Sequence, residues 1–345
     1  MIHRVGDESA QIVISVVAPC FNEESAVDAF IKETLAVLDA QAAPFEILLV
    51  DDGSTDLTFE VIRRWASVRS EVRGIQLSRN FGHQAALTAG LDRARGQAVI
   101  TMDSDLQHPP ALIPDLLGAW RAGAEVVLTR RLPNGRESAF KRVTSAAFYR
   151  ALSRLSRIEL EAGTSDFRLL DRRVVEAFRE CRELHRLLRG LAVWVGFKKV
   201  VIPFQVQDRV SGVSKYTLTR MMRLALDGIF SFSTAPLRAA ILVGIGSSGL
   251  AIAYLLVVLG VWWVRPDLVE PGWTSMIGAV LFIGGVQLTF LGVVGEYVGR
   301  IFQQVKDRPL YLVRQVAPLP AASPGNRLDA EVSYEMGPSQ DGDGA

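Results

Sequence analysis

Cysteine is scarce in this chain of 345 residues, with Cys20 and Cys181 as the only two. They form no disulfide framework and have no paired metal-ligand spacing. Both read as small buried hydrophobes in a reducing compartment. An excess of either charge is missing as well. Lys plus Arg total 38 and Asp plus Glu total 37, for a formal net charge of +1. That balance excludes the broad basic surface of a general nucleic-acid binder. With 49% hydrophobic residues it also excludes a disordered polyelectrolyte. A Walker phosphate loop, GxxxxGK followed by Ser or Thr, is absent, which argues against a P-loop hydrolase. The opening MIHRVGDESAQ is polar and partly acidic, and is expected not to be a signal peptide. No internal repeat is visible.

Long apolar runs are lacking until residue 239, yet mean hydropathy is +0.22, high for a wholly soluble protein. The apolarity is concentrated late. Ala239 to Val264 is 26 residues without a charge, and Pro271 to Gly295 is 25 more. Roughly 20 apolar residues cross a bilayer as a helix, so two spans are expected, at about 239–264 and 272–297. Arg209, Lys215, Arg220, Arg223 and Arg238 precede the first, and Arg300, Lys306 and Arg308 follow the second. The short connection holds one Arg against Asp267 and Glu270. The positive-inside rule then puts both long flanks in the cytoplasm. Trp262, Trp263 and Trp273 bracket the outer loop like an aromatic belt. Within the first run, Gly244 to Gly249 spells GxGxxG but follows no strand. Close packing of membrane helices accounts for those small residues better than a dinucleotide site does.

The first two-thirds alternates. Short β-branched runs at 12–18, 45–50, 72–77, 97–102 and 124–129 are separated by helical stretches at 24–40, 56–69, 82–94 and 109–121. This order predicts a mainly parallel sheet with helices on both faces, whose ligands bind beyond the carboxyl ends of the strands. Those ends carry Pro19-Cys20-Phe21-Asn22-Glu23, then Asp51-Asp52-Gly53-Ser54, then Asp103-Ser104-Asp105-Leu106-Gln107-His108. Helix capping explains one acid per loop. It does not explain two close pairs, which repel unless a cation joins them. A hard divalent ion on phosphate oxygens is the economical partner. Residues 217–232 form an amphipathic pattern just before the first span, read as an interfacial helix. The tail after Arg314 reads as disordered.

PCFNEE, LLVDDGSTD, SRNFGHQAALTAGLDRARG and MDSDLQHPP, in this order, resemble the family 2 glycosyltransferases of GT-A fold over residues ~12–235. DLQHPP, TSDFRLLDR and LALDGIFSFSTAPLR narrow the resemblance to polyprenyl-phosphate glycosyltransferases of the bactoprenol glucosyltransferase and dolichyl-phosphate mannose synthase type. The implied organisation is an extension (1–11), a GT-A domain (12–213), juxtamembrane helices (214–235), two spans (236–300) and a largely disordered cytoplasmic tail (301–345).

By that resemblance Pro19, Asn22, Glu23, Asp51, Asp52 and Asp103 bind the nucleotide sugar. Asp103, Asp105 and Gln107 hold Mg2+ or Mn2+. Asp166 is the catalytic-loop aspartate, with an orienting or weak-base role, because a lipid monophosphate is largely ionised already. Arg209 and Lys215 sit on a mobile loop over the phosphates, and Arg130 and Arg142 on the acceptor side. Arg131 reads as a solvated charge and His83 as part of a helix start. His108 is open between a ligand or base and a plain loop residue. Arg79 is open between phosphate or base contact and a structural role. The implied reaction is inverting transfer of one sugar, UDP-glucose favoured, to polyprenyl (undecaprenyl) phosphate at the bacterial inner membrane. A flippase partner and a homo-oligomer accompany it. GDP-mannose, N-acetylglucosamine or aminoarabinose donors stay open. So do a hydroxyl acceptor and a silent nucleotide-sugar-binding scaffold. His185-Arg186-Leu187-Leu188-Arg189-Gly190 lacks the QxxRW of processive synthases.

Overall fold

The computed structural model describes residues 12–132, 164–184, 186, 188–205, 235–264 and 272–318. Arg142, Arg209, Lys215, the amphipathic stretch 217–232 and the loop between the apolar runs lie outside the described residues.

The chain runs β1 (Ile14–Cys20), α1 (Val27–Asp39), β2 (Phe45–Asp51), α2 (Thr58–Val68), β3 (Val72–Leu77), α3 (His83–Arg93) and β4 (Ala98–Thr101). A 3-10 turn (Pro110–Leu112) leads into α4 (Ile113–Arg121) and β5 (Val126–Arg131). Then come β6 (Thr164–Asp171), α5 (Arg172–Glu180), α6 (Leu188–Trp194), β7 (Lys199–Phe204), α7 (Ala235–Val264), α8 (Trp273–Val305) and β8 (Val313–Ala317). The eight strands form one sheet in the order β7-β5-β6-β4-β1-β2-β3-β8. The pairs β1–β2, β1–β4, β2–β3 and β5–β7 are parallel, while β4–β6, β5–β6 and β3–β8 are antiparallel. The sheet is therefore mixed. Six strands run one way, as the mainly parallel expectation has it, and only β6 and β8 run against them.

Every residue of β1 is buried, because helices cover both faces. Side chains alternate across the pleat. Val16, Ala18, Ile47 and Leu49 join Phe30, Leu38, Ile62 and Leu116 of α1, α2 and α4 in one core. Val17, Leu48 and Val50 join Leu87, Leu91, Phe178 and Leu191 of α3, α5 and α6 in the other. Fully burying each such side chain contributes about 1.5–3 kcal/mol. Helix α3 lies so close to the sheet that a Cβ on Gly90 would stand 2.2 Å from Val17 Cγ1. Its C-terminal carbonyls, orphaned by helix geometry, are taken by arginines of α5: Arg179 donates to Leu91 and Ala94, and Arg172 also reaches Ala94.

Strand β1 has β2 on one side and β4 on the other. The chain reverses direction of growth there, so the loops after β1 and β4 part and leave a crevice at their carboxyl ends.

Helices α7 and α8 are long and apolar enough to cross a membrane, over Pro236–Val261 and Phe282–Val305. Neither stretch is covered by protein. Trp263 is 88% exposed and Leu250 74%. Helix α8 runs past the expected end near 297 and carries a Glu296–Arg300 ion pair of 2.9 Å in its last turns. The segment expected to be structureless after Arg314 is in part a strand. β8 pairs with β3 from Gly74 to Leu77, and the Ser78 N–H donates to the Leu312 carbonyl.

Candidate active site

Three loops meet at the crevice and are braced by their own polar groups. Asn22, at φ 53°, accepts the Thr55 N–H on Oδ1 while its own N–H donates to Ser54 Oγ. The Glu23 N–H donates to Thr58 Oγ1. Pro19 is buried at the end of β1, and its carbonyl accepts the Ser104 hydroxyl, tying that strand to the loop after β4.

The two acids at the end of β2 are both engaged in hydrogen bonds to neighbouring loops. Asp51 is fully buried; Oδ1 accepts the Ser54 N–H at 3.0 Å and Oδ2 the Gln76 amide at 2.9 Å. Both oxygens are thus engaged within the protein, where they shape the loop. Asp52 accepts the Phe81 N–H at 2.7 Å and the Gly82 N–H at 2.9 Å. Burial pushes its pKa up, against those two bonds. Its effect on the site runs through the loop it holds, 78–83. Gly53, at φ +70°, allows this docking, since a Cβ there would stand 2.5 Å from the Arg79 carbonyl carbon. Arg79 itself stacks over the Phe81 ring at 4.1 Å.

Asp103 and Asp105 follow β4. The Asp103 N–H donates to Nδ1 of His108 at 2.9 Å. His108 is buried, stacked on Phe167, and bonded through Nε2 to the Ser165 hydroxyl. With Nδ1 accepting, Nε2 carries the proton. Burial lowers the His108 pKa, so a neutral ring is favoured. This resolves the open reading of His108: it is a core histidine that sets the Asp103 loop. Arg130 and Arg131 are both exposed at the end of β5, as a solvated charge at Arg131 requires, and Arg131 Nη2 comes within 3.2 Å of that ring. Asp105 Oδ1 accepts the Gln107 N–H at 3.1 Å around Leu106, whose φ is 61°. A left-handed leucine is strained, and such strain persists where surrounding contacts over-determine it.

Asp166 lies on β6, beside β4. Arg168 and Arg189 both pair with its carboxylate, Arg189 through Nε at 3.1 Å and Nη2 at 2.6 Å. Burial raises its pKa. The charges of Arg168 and Arg189, with hydrogen bonds from His83 and Arg189, outweigh that and hold it well below the usual carboxylate range. Two of these partners were not anticipated: Arg168 as a buried counter-ion and Arg189 from α6. The third is His83, expected only to begin a helix. Its Nε2 lies 3.7 Å from Asp103 Oδ1 and 3.6 Å from Asp166 Oδ2, bridging two acids that are remote in sequence. Burial opposes its charged form, but Asp166 and Asp103 prevail and raise its pKa.

Asp103 Oδ1 is buried with no hydrogen-bond partner among the described residues. An orphaned carboxylate oxygen beside a second acid two residues on fits a divalent cation. No group of three or more His, Cys, Asp or Glu side chains is gathered for a metal among the described residues. A Mg2+ ion held there by one or two carboxylates would take its remaining ligands from water and phosphate, the usual manner of binding Mg2+ at phosphorylated substrates.

A doubly covered mixed sheet with acids and a histidine converging at its switch point defines an α/β transferase of GT-A architecture. Residues 15–179 match the model of glycosyl transferase family 2, and residues 235–301 match the GtrB C-terminal hairpin. A glycosyltransferase of Bacillus subtilis, YkcC, is 40% identical over 89% of this chain and 95% of its own. The SfII prophage-derived bactoprenol glucosyl transferase of Shigella flexneri is 39% identical over 88% and 97%. Among solved structures, glucosyl-3-phosphoglycerate synthase from Mycobacterium tuberculosis is 21% identical over 66% of this chain and 83% of that one, at TM-score 0.43. The chain belongs to glycosyl transferase family 2, in the form that carries the GtrB hairpin, and is a glycosyltransferase.

Proposed function

We propose that the enzyme transfers one sugar, glucose from UDP-glucose in the first instance, to polyprenyl phosphate with inversion at the anomeric carbon. The carrying observation is the meeting of Asp103, His83 and Asp166 at the switch point, within 3.7 Å of one another through His83, in a chain that ends in an apolar hairpin. The relative from Shigella flexneri, a bactoprenol glucosyl transferase by name, supports lipid acceptor and sugar.

Asn22, Glu23 and Asp103 line the donor side, with Asp52 acting through loop 78–83. Asp103 and Asp105, with Gln107 beside them, would hold Mg2+ or Mn2+. Bound there, the ion neutralises charge on the departing nucleoside diphosphate. Asp166 is paired to two guanidinium groups, so it is a poor proton acceptor. A lipid monophosphate, with a second pKa of about 6, needs little deprotonation. Asp166 therefore orients, through His83 and Arg189. Arg130 and Arg142 serve the acceptor, and Arg209 and Lys215 the transferring phosphates. The hairpin anchors the enzyme in the bacterial inner membrane, with catalytic domain and both termini cytoplasmic. A separate flippase carries the product outward, and the enzyme works as a homo-oligomer.

The test is transfer from a panel of labelled nucleotide sugars to undecaprenyl phosphate, in membranes supplied with Mg2+ or Mn2+. UDP-glucose should give one sugar per lipid, and Asp105→Ala should abolish it. Full activity of that variant would sink the metal role, and a polymeric product would sink the single transfer.

A further inference from the structure

A cleft of about 610 Å³ opens beside the first turn of α3. Three arginines from separate segments line it: Arg79 before α3, Arg186 between α5 and α6, and Arg308 after α8. No acid does, among the described residues. Arg186 is only 8% exposed. Its Nη1 donates to Thr88 Oγ1 at 3.3 Å and its Nη2 to the Phe178 carbonyl, both neutral acceptors. Its Nε has no partner among the described residues. Asp92, an acid whose charge favours the Arg186 cation, is itself bonded to Arg182 and Tyr311. A buried guanidinium without a carboxylate against it is costly, and an anion in the cleft offsets that cost.

Position narrows the anion. His83 belongs to the wall of this cleft as well as to the Asp103–Asp166 cluster, so the cleft opens onto the reacting site. At the rim formed by Leu184, the Leu184 N–H donates to Gln304 near the end of α8 at 2.9 Å, and Gln304 donates to the Arg182 carbonyl at 3.1 Å. Leu184 and Leu310 make that rim apolar. The cleft thus joins the end of an apolar helix to the acids, with arginines along the way. Guanidinium donors match phosphate oxygens in number and geometry.

We propose that this cleft binds the phosphate monoester of the lipid acceptor as it leaves the bilayer, before transfer. The proposal rests on the reading of the acceptor as polyprenyl phosphate. It is tested with the full chain in phosphatidylcholine vesicles containing undecaprenyl phosphate. Arg308→Ala, at an exposed position, and Arg186→Gln should each raise the KM for the lipid about tenfold, the effect of one charge-assisted hydrogen bond. The KM for the donor should not move. If Arg186→Gln fails to fold, Arg308→Ala carries the test. Unchanged lipid KM in a folded variant, with wild-type transfer intact, overturns the cleft. Competition by phosphatidylglycerol or inorganic phosphate as strong as by the lipid itself also overturns it, by showing a site for any anionic headgroup or for free phosphate. No transfer to the lipid by the wild type overturns the acceptor reading instead.

Discussion

Replacing Asp166 by Asn should destabilise the enzyme as well as inactivate it, and the two losses can be separated. Asp166 is 6% exposed and is the counter-ion of Arg168, which is 2% exposed. Asparagine keeps the shape of the side chain and removes its charge, leaving Arg168 buried and unpaired. Removing one partner of a buried pair costs about 3–5 kcal/mol. For a domain of this size each kcal/mol lowers the melting temperature by roughly 2–4 °C, so a fall of about 10 °C is expected in a thermal melt of the detergent-solubilised protein. Arg189 is 36% exposed at its side chain and can turn to water, so Arg189→Ala should cost no more than about 1 kcal/mol. The double variant Asp166→Asn/Arg168→Leu should regain part of the lost stability, because the stranded charge is gone. The pH dependence follows the same logic. A carboxyl whose folded pKa is depressed contributes fully above its unfolded value, about 3.9, and loses that contribution as pH falls through the folded value. The wild type should therefore hold this contribution from pH 8 down to pH 5. The asparagine variant should lack the corresponding loss in acid. A melting point for Asp166→Asn within about 2 °C of wild type, or no recovery in the double variant, would refute the pairing argument.

Gly90→Ala should push α3 off the sheet, because its Cβ would meet Val17 Cγ1 at 2.2 Å and Val50 Cγ2 at 3.2 Å. The expected cost is about 1–3 kcal/mol in denaturant midpoint, and a neutral result would mean that α3 packs more loosely than described. Burial pushes the Cys20 thiol up to about 12, and it is 2% exposed, so a thiol reagent at pH 8 should modify it only after unfolding. Rapid labelling of both cysteines in the native enzyme would contradict this. Tyr311→Phe removes a hydroxyl that donates to Asp92 at 2.9 Å and accepts from Arg93 at 3.0 Å. Its loss should cost about 1 kcal/mol, read as a lower thermal midpoint. No shift would show that the C-terminal segment is held by β8 alone.

Periodic and long-range features differed in how far they could be read. The strands of the sheet centre and the helices between them were legible because each is a short buried run with its own pattern. The two apolar helices were legible from length alone. Strand β6 was recognised as a motif and not as a strand, since Phe167, Leu169 and Leu170 are all buried on a strand covered on both faces and show no alternation. Strand β8 was hidden because five residues, VRQVA, disappear in a tail dominated by Pro, Ala and Gly, and pairing with β3 alone makes them a strand. At the site, Asp103, Asp105 and Asp166 stood out by spacing or by family pattern. His83 did not, because Gly82 before it reads as a helix start and nothing local points to Asp166, eighty-three residues away. Arg189 carried no signal either. Asp51 and Asp52 look alike in sequence, but their roles follow from which N–H groups lie opposite their oxygens, and only folding decides that.

The connection between hairpin and site passes through few residues, and this bears on how the enzyme is built. Gln304, one residue short of the end of α8, holds the backbone at Arg182 and Leu184. Two residues on, Arg186 is anchored to Thr88 of α3, and the Leu188 N–H is bonded to Gln84 of α3 at 3.1 Å. The next residue, Arg189, grips Asp166. Past Gln304 the chain meets α3 again, where Tyr311 bonds to Asp92 and Arg93 and shares Asp92 Oδ2 with Arg182, and then joins the sheet as β8. Helix α3 is thus held by two segments, one bonded to α8 through Gln304 and one continuous with it, and His83 is its first residue. A hairpin that served only as an anchor would need one tether. Here two tethers reach the helix that begins at the reacting site, so the placing of the apolar hairpin and the placing of His83 between its two acids are joined through α3.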